Sequence, residues 1–295
     1  MALWVQDQPL LGLDNPQVHV ASHFFPEEES LQFDELAFLS KHTAASGTAS
    51  LTVHPIGVPW MGTRCPKSGG APGRCTQPNR DIARLFRSLA TEVKTRGLGK
   101  SFQVTLEATH HGPFANIPAM FVEIGSTEEH WGNAAAGELW GDLLTRHFDL
   151  VSPEAETESG PESGAETEAE GKEPLVLIVL GGSHYTPQAN DFARLGERAF
   201  VGHSIASYAL QPLLSAPEAL PDPTADPGPE GGYRAVIDEV ISSTAEAFPD
   251  GRLLVLIQLK DAGERAKVAA HLGEAHPGLA VFEDFKAVKA LYKQG

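Results

Sequence analysis

The sequence predicts an α/β fold, a three-layer sandwich built on a mostly parallel or mixed sheet. Three observations predict it. Apolar runs of strand length recur at residues 102–106, 119–124, 175–180 and 253–259, and the run 175–180 (LVLIVL) is apolar throughout, as a strand covered on both faces is. Stretches with helical apolar spacing alternate with these runs, a pattern that lays helices on both faces of a sheet. Polar residues rich in His, Glu and Gly follow the strand-like runs, and open parallel sheets place their ligands beyond the carboxyl ends of the strands.

Residues 1–32 show no sustained period, so 1–35 is expected to be an irregular N-terminal segment and 36–295 a single α/β domain. Residues 36–40 form a short strand followed by Lys41, His42 and Thr43. Residues 51–53 form another, which Pro55 is expected to stop just after His54. A Gly/Pro-rich loop fills 60–78. Asn79 is placed to cap the next helix, whose stripe is Ile82, Leu85, Phe86, Leu89 and Val93, with Gly97 ending it. Arg80, Arg84 and Arg87 fall on another face of that helix. Ser126 and Glu129 have capping-box spacing, opening a helix that runs to about His147. Residues 151–174 are too poor in apolar side chains to offset the entropy of ordering, and read as an acidic disordered insertion that is dispensable. A helix at 191–198, a strand at 199–201, a Pro-rich insertion at 211–232 and a helix at 233–247 (Val236, Ile237, Val240, Ile241) follow. The chain closes with a strand at 253–259, a helix at 262–273, an edge strand at 279–282 and a terminal helix at 285–293.

With 295 residues, 41% hydrophobic and 21% charged, the chain is long enough for a large core. No apolar run approaches the roughly 20 residues that span a bilayer. The first residues lack the basic start, apolar middle and small-residue cleavage site of a signal peptide. Cys65 and Cys75 match neither a disulfide framework nor a zinc ribbon, so reduced thiols and a cytoplasmic location are expected. The net charge of −17 argues against a nonspecific nucleic-acid binder. It is unevenly spread. Residues 151–174 hold eight Glu and one Lys, whereas 61–100 hold nine Lys/Arg against Asp81 and Glu92. The arginines of that basic segment are either a solvated face or contacts to the phosphates of an RNA.

Six of the twelve histidines lie at or within a few residues of a strand-like end: His42, His54, His110, His111, His184 and His203. Singly, such a residue is most often a hydrogen-bonded structural one. If the strands are parallel, however, the six converge on one edge with Glu107 and Glu123 nearby. Imidazole and carboxylate together suit zinc or an acid/base group. Gly181 and Gly182 allow close backbone approach to a ligand, or else make a tight turn. Gly112 and Pro113 fix the loop beyond the paired histidines.

Five stretches, in order, resemble a known family. They are FLSKHTAASG (38–47), LTVHPIGV (51–58), EATHHGP (107–113) with FVEIGSTEEHW (121–131), GGSHYTP (181–187) and GHSI (202–205). Order and spacing resemble the archaeal/plant-type D-aminoacyl-tRNA deacylases (D-tyrosyl-tRNA deacylase, second type) from roughly residue 36 to 210. That family usually begins with a strand and helix well upstream, so a shortened N-terminus is expected. The resemblance implies a fold akin to the phosphorylase/peptidyl-tRNA hydrolase group, bound Zn2+, and hydrolysis of the ester joining a D-amino acid to tRNA, aldehyde-modified adducts included. The implied partner is aminoacyl-tRNA, met by a monomer with no membrane association and no obligatory protein partner.

Ester hydrolysis needs a base, a positioned water and an oxyanion donor. Glu107 or Glu123 is expected as base, with His110 or His111 as donor, or a metal-bound water as nucleophile. His54, His111, His184 and His203 are the expected metal ligands. Lys41, His42, Gly112, Pro113, Gly181 and Gly182 are expected at the substrate, and Arg80, Arg84 and Arg87 on the tRNA backbone. The alternatives are a metal-dependent hydrolase or phosphorylase of nucleosides or small amides, and a non-catalytic RNA-binding module.

Overall fold

The structure, a computed structural model, describes residues 34–59, 70–148, 172–215 and 232–294. The expectations for residues 1–33, for Cys65 and for most of the two insertions lie outside those residues.

Two four-stranded sheets carry the fold. The first is mixed and contains β1 (Leu36–Lys41), β2 (Ser50–Pro55), β5 (Gln103–Leu106) and β6 (Ala119–Gly125), in the order β1-β6-β2-β5. β1 runs parallel to β6 and β2 parallel to β5, while β6 is antiparallel to β2. The second sheet, β7 (Leu175–Gly181), β8 (Ala199–Ile205), β9 (Arg252–Gln258) and β10 (Ala280–Phe282), is parallel throughout, in the order β10-β9-β7-β8. A two-stranded ribbon, β3 (Gly57–Val58) with β4 (Arg74–Cys75), follows β2.

The helices explain why the strands of the second sheet are apolar on both faces. α1 (Ile82–Thr95) buries its expected stripe against β2, β5 and β8, and so bridges the two sheets. Its core includes Leu175, Leu177 and Val179 together with Leu51, Val53, Leu106, Met120 and Val122. α3 (Ala134–His147), α4 (Pro187–Ala193) and α8 (Phe285–Gln294) contribute to the same layer through Leu139, Phe192 and Val288. The alternate residues Ile178 and Leu180 point the other way, as period-two geometry requires. There they meet α5 (Ser207–Leu214), α6 (Gly232–Ala247) and α7 (Ala262–Ala275) through Leu210, Val236, Val240, Val268 and Leu272. Among the described residues no helix is long and apolar enough to cross a membrane.

β2 ends at Pro55, as expected, with Pro55 opposite Met120 and His54 one residue inside the strand. Four local expectations are corrected. The helix expected from 126 to 147 is two, α2 (Glu128–Trp131) and α3, because Asn133 caps the second by accepting from the Ala136 N–H at 3.0 Å. Ser126 makes no capping box. Its Oγ donates instead to the Thr48 carbonyl at 2.6 Å. At α1 the N-cap residue is Asp81, and Asn79 accepts from the Asp81 N–H. Residues 211–214 belong to α5 rather than to a Pro-rich insertion.

The chain leaving β5 is stitched to the carboxyl ends of the parallel sheet. The Ala108 N–H donates to His184 O and the Thr109 N–H to Ser204 O, both at 2.7 Å. This seam positions the site.

Candidate active site

Glu107 lies one residue past β5, where parallel pairing to β2 sets it near His54. Antiparallel pairing places Glu123 opposite Thr52. Gly125 lets the end of β6 pass close to His42, since a Cβ there would come within 2.8 Å of the imidazole. Around these two buried carboxylates five of the six strand-end histidines converge: His42, His54, His110, His111 and His184.

The carboxylates have different surroundings. Glu123 Oε2 is 3.5 Å from His42 Nδ1 and 3.7 Å from His54 Nε2, and accepts from the Thr52 hydroxyl at 3.4 Å. Burial alone would raise its pKa, yet the two imidazoles hold it well below the usual carboxylate range. Reciprocally, burial opposes charge on His42 and His54, but the nearby Glu123 carboxylate overcomes it and raises both above 6.5. Glu107 Oε2 is 3.0 Å from His184 Nε2 and 3.7 Å from His110 Nε2. Its Oε1 lies 3.3 Å from His42 Nδ1 and is a buried oxygen without a hydrogen bond.

His54, His110 and His111 share a feature. Each sets Nδ1 against a backbone carbonyl: Pro55 at 3.0 Å, Ala108 at 2.8 Å and Gly112 at 2.6 Å. A carbonyl only accepts, so Nδ1 carries the proton and Nε2 is the nitrogen left to ligate or accept. The three ligand nitrogens lie within 4.8 Å of one another, and His54 Nε2 is buried without a hydrogen-bond partner. Burial first, then the neighbouring imidazoles, pushes His110 well below 6.5 and His111 to about 4, so both are neutral at pH 7. Phe121 stacks on His54 at 5.3 Å between ring centroids. His111 has φ of 45°, in the region that side chains other than glycine rarely occupy. Its carbonyl accepts from the Gly57 N–H at 3.0 Å.

The other expected site residues divide. Lys41 is exposed, its ammonium 5.0 Å from the Trp131 ring centroid, and Trp131 Nε1 donates to His42 O. Gly112 and Pro113 fix the histidine turn, with Pro113 O accepting from Thr76. Gly181 makes a tight turn: a Cβ there would sit 2.6 Å from Gln258 O, so the close approach is to the chain's own backbone. The Gly182 N–H bonds Gln258 O and Ser207 Oγ. His203 does not join the cluster. β8 continues through it, and its ring is buried between Thr109 Oγ1 (2.9 Å) and Ser243 Oγ (3.2 Å). Burial pushes its pKa to about 3.

The arginine face is largely committed elsewhere. Arg84 pairs with Asp81 at 2.9 Å. Arg87 donates to Ala193 O and Ala199 O and pairs with Glu197. Arg80 is exposed and lies over the Phe248 ring. Two tyrosines that sequence reasoning passed over belong to the site. Tyr185 OH is 3.3 Å from His42 Nε2, and Tyr208 OH is 3.2 Å from His184 Nδ1. Their only signal in the sequence was nearness to His184 and to the end of β8.

The model of one protein family, described as D-aminoacyl-tRNA deacylase, matches residues 29–248. A D-aminoacyl-tRNA deacylase of Arabidopsis thaliana is 37% identical over 234 residues, covering 77% of this chain and 68% of that protein. One from Aeropyrum pernix is 35% identical over 203 residues, 68% of this chain and 66% of that protein. The chain thus spans about two thirds of the length of these relatives. A crystal structure of a conserved protein of unknown function aligns with a TM-score of 0.61 at 21% identity, covering 94% of this chain and 78% of that one. It shares the fold.

Proposed function

The chain belongs to the D-aminoacyl-tRNA deacylase family, and from that premise we propose that it hydrolyses the ester between a D-amino acid and the 3′-terminal ribose of tRNA, with Glu107 as the general base. The carrying observation is the buried Glu107 carboxylate, which contacts His42 and His184 while one of its oxygens keeps no hydrogen bond.

Water adds to the ester carbonyl, Glu107 takes its proton, and the bond to the ribose oxygen breaks as that oxygen is protonated. Glu107 returns that proton to the leaving oxygen, and His184, hydrogen-bonded to Glu107 through Nε2, positions the carboxyl group. Tyr208 orients His184 through Nδ1. Glu123 is a positioning residue, since His42 and His54 hold it below the usual carboxylate range. Tyr185 holds His42 from the other side. Aldehyde-modified D-aminoacyl-tRNA carries the same ester and fits the same reading.

The residues fit Zn2+ as well. Three imidazoles with Nδ1 set against backbone carbonyls and ligand nitrogens within 4.8 Å of one another suit a metal centre, which would bind His54 in its deprotonated form. His54, His110 and His111 would hold the ion, in place of the set that includes His184 and His203. When bound it would supply Lewis-acid stabilisation of the developing oxyanion. Arg80 is the arginine we retain as a phosphate contact. A cytoplasmic monomer fits the free, buried Cys75 thiol and the presence, among the described residues, of only Tyr208 and Val281 as exposed large hydrophobics.

The test is single-turnover deacylation of matched D- and L-aminoacyl-tRNA by the whole chain and by Glu107→Gln. Preferential hydrolysis of the D-ester that falls at least roughly 10²-fold in the variant is expected. Equal rates on both enantiomers would overturn the substrate assignment, and an active variant the role of Glu107.

A further inference from the structure

A second group of metal-ligating side chains lies between two helices and shares no residue with the active-site cluster. Asp238 is in α6, His271 is in the last turns of α7, and His276 caps the end of α7. His271 Nε2 is 2.8 Å and His276 Nε2 2.7 Å from the same atom, Asp238 Oδ1. The ligand atoms all lie within 4.8 Å of one another.

This convergence is built by the way α7 ends. Five residues apart on a continuous helix, two side chains would point about 140° apart. His276 has left the helix, with φ of −129° and ψ of 58°, while its N–H still bonds Leu272 O. That break turns its ring back beside His271, nearly perpendicular to it at 89°, with ring centroids 6.1 Å apart.

We propose that Asp238, His271 and His276 form a second metal site, which takes a divalent cation of the zinc class and clasps the end of α7 to α6. Two imidazole nitrogens and one carboxylate oxygen are a set that suits zinc, with water completing it. The site is open on one side: the Asp238 side chain is 44% exposed and that of His276 20%, while that of His271 is 6% exposed. The free carbonyls at the carboxyl end of α7 add partial negative charge at the same place. The ion is structural, because nothing in this group touches the active-site residues. It fastens two of the helices that cover Val255 and Ile257 of the parallel sheet.

The experiment uses the whole chain, stripped of metal by chelator and titrated with Zn2+ while bound equivalents and melting temperature are followed. His276→Gln and Asp238→Asn alter this group; His111→Gln alters the active-site cluster. The expected result is that zinc raises the melting temperature of the parent and of His111→Gln, while His276→Gln and Asp238→Asn each bind one equivalent fewer and lose that rise. Unchanged stoichiometry and an unchanged rise in His276→Gln would overturn the site. Should the variants fail to fold, the unmodified chain still decides. Zinc should shield His271 and His276 from acylation by diethyl pyrocarbonate in a peptide map, and no shielding at saturating zinc refutes the proposal. Because no step reads deacylation, this outcome is separate from the assignment of the ester chemistry.

Discussion

Glu107 and Glu123 are both buried, yet their neighbours give them different work. Glu123 faces two histidines whose protonated forms it favours, and they in turn hold it below the usual carboxylate range. Glu107 has one oxygen without a hydrogen bond, which suits the base role proposed for it. Glu107→Gln is expected to lower kcat at least roughly 10²-fold across the pH range. Glu123→Gln should act through His42 and His54. Without the carboxylate, burial dominates and both imidazoles become neutral at lower pH, so the pH–rate profile shifts as well as falls. A profile of unchanged shape would argue that Glu123 does not hold those rings. His203 gives a stability prediction with the opposite sign from a paired histidine. Its folded pKa of about 3 lies below the ordinary 6.5. Above 6.5 both states are neutral there. As pH falls from 6.5 towards 3, only the unfolded chain takes up the proton, and stability drops by up to about 1.4 kcal/mol per pH unit. Unfolding measured at pH 4 to 6 should show a slope shallower by about one proton in His203→Gln; an equal slope would mean that the ring is protonated in the fold.

Arg87 shows how an element can claim a side chain that the sequence offered for binding. In α1 it spaces correctly with Arg80 and Arg84, but its guanidinium reaches the carbonyls that end α4 and begin β8. Arg87→Ala should therefore destabilise the chain by about 1–3 kcal/mol, the cost of leaving buried carbonyls unpaired. It should leave the salt dependence of tRNA deacylation unchanged. A shifted salt slope with intact stability would restore the phosphate reading. The same scale explains what was legible. The buried strand at 175–180 and the stripe of α1 declared themselves, because one face or both of each element is covered by neighbours of the expected kind. The carboxyl limit of β8 did not, since its partner strand sets it: β8 runs on beside β7 through Gly202, His203 and Ser204, whereas Pro55 marked the end of β2. Five histidines at one edge were therefore readable, whereas His203 was misplaced by a strand end read four residues early. The regrouping of His110 with His54 and His111 was also not readable. It follows from three backbone carbonyls that a sequence does not display.

At the scale of the whole molecule the problem is electrostatic. A chain of net charge −17 acts on a polyanion, and two of the three arginines best spaced to help are committed to carboxylates or carbonyls. The phosphate contact proposed for Arg80 would work against long-range repulsion, to which residues 151–171 bring seven Glu and no Lys or Arg. Repulsion between exposed charges is screened over about 10 Å at 0.1 M salt, so it matters most when salt is low. Deleting 151–171 is expected to raise kcat/KM for D-aminoacyl-tRNA several-fold at low ionic strength. The advantage should vanish as salt is raised, because screening then does for the parent what the deletion does. Turnover of a short D-aminoacyl-adenosine, which carries little charge, should be equal in the two chains at every salt concentration. The melting temperature should also stay put, since the segment's composition gives it little apolar surface to pack. A deletion that slows the short substrate or lowers the melting temperature would show that the segment contributes to the fold or the site. One that leaves tRNA deacylation unchanged at low salt would place the segment's charge too far from the approaching tRNA to be felt.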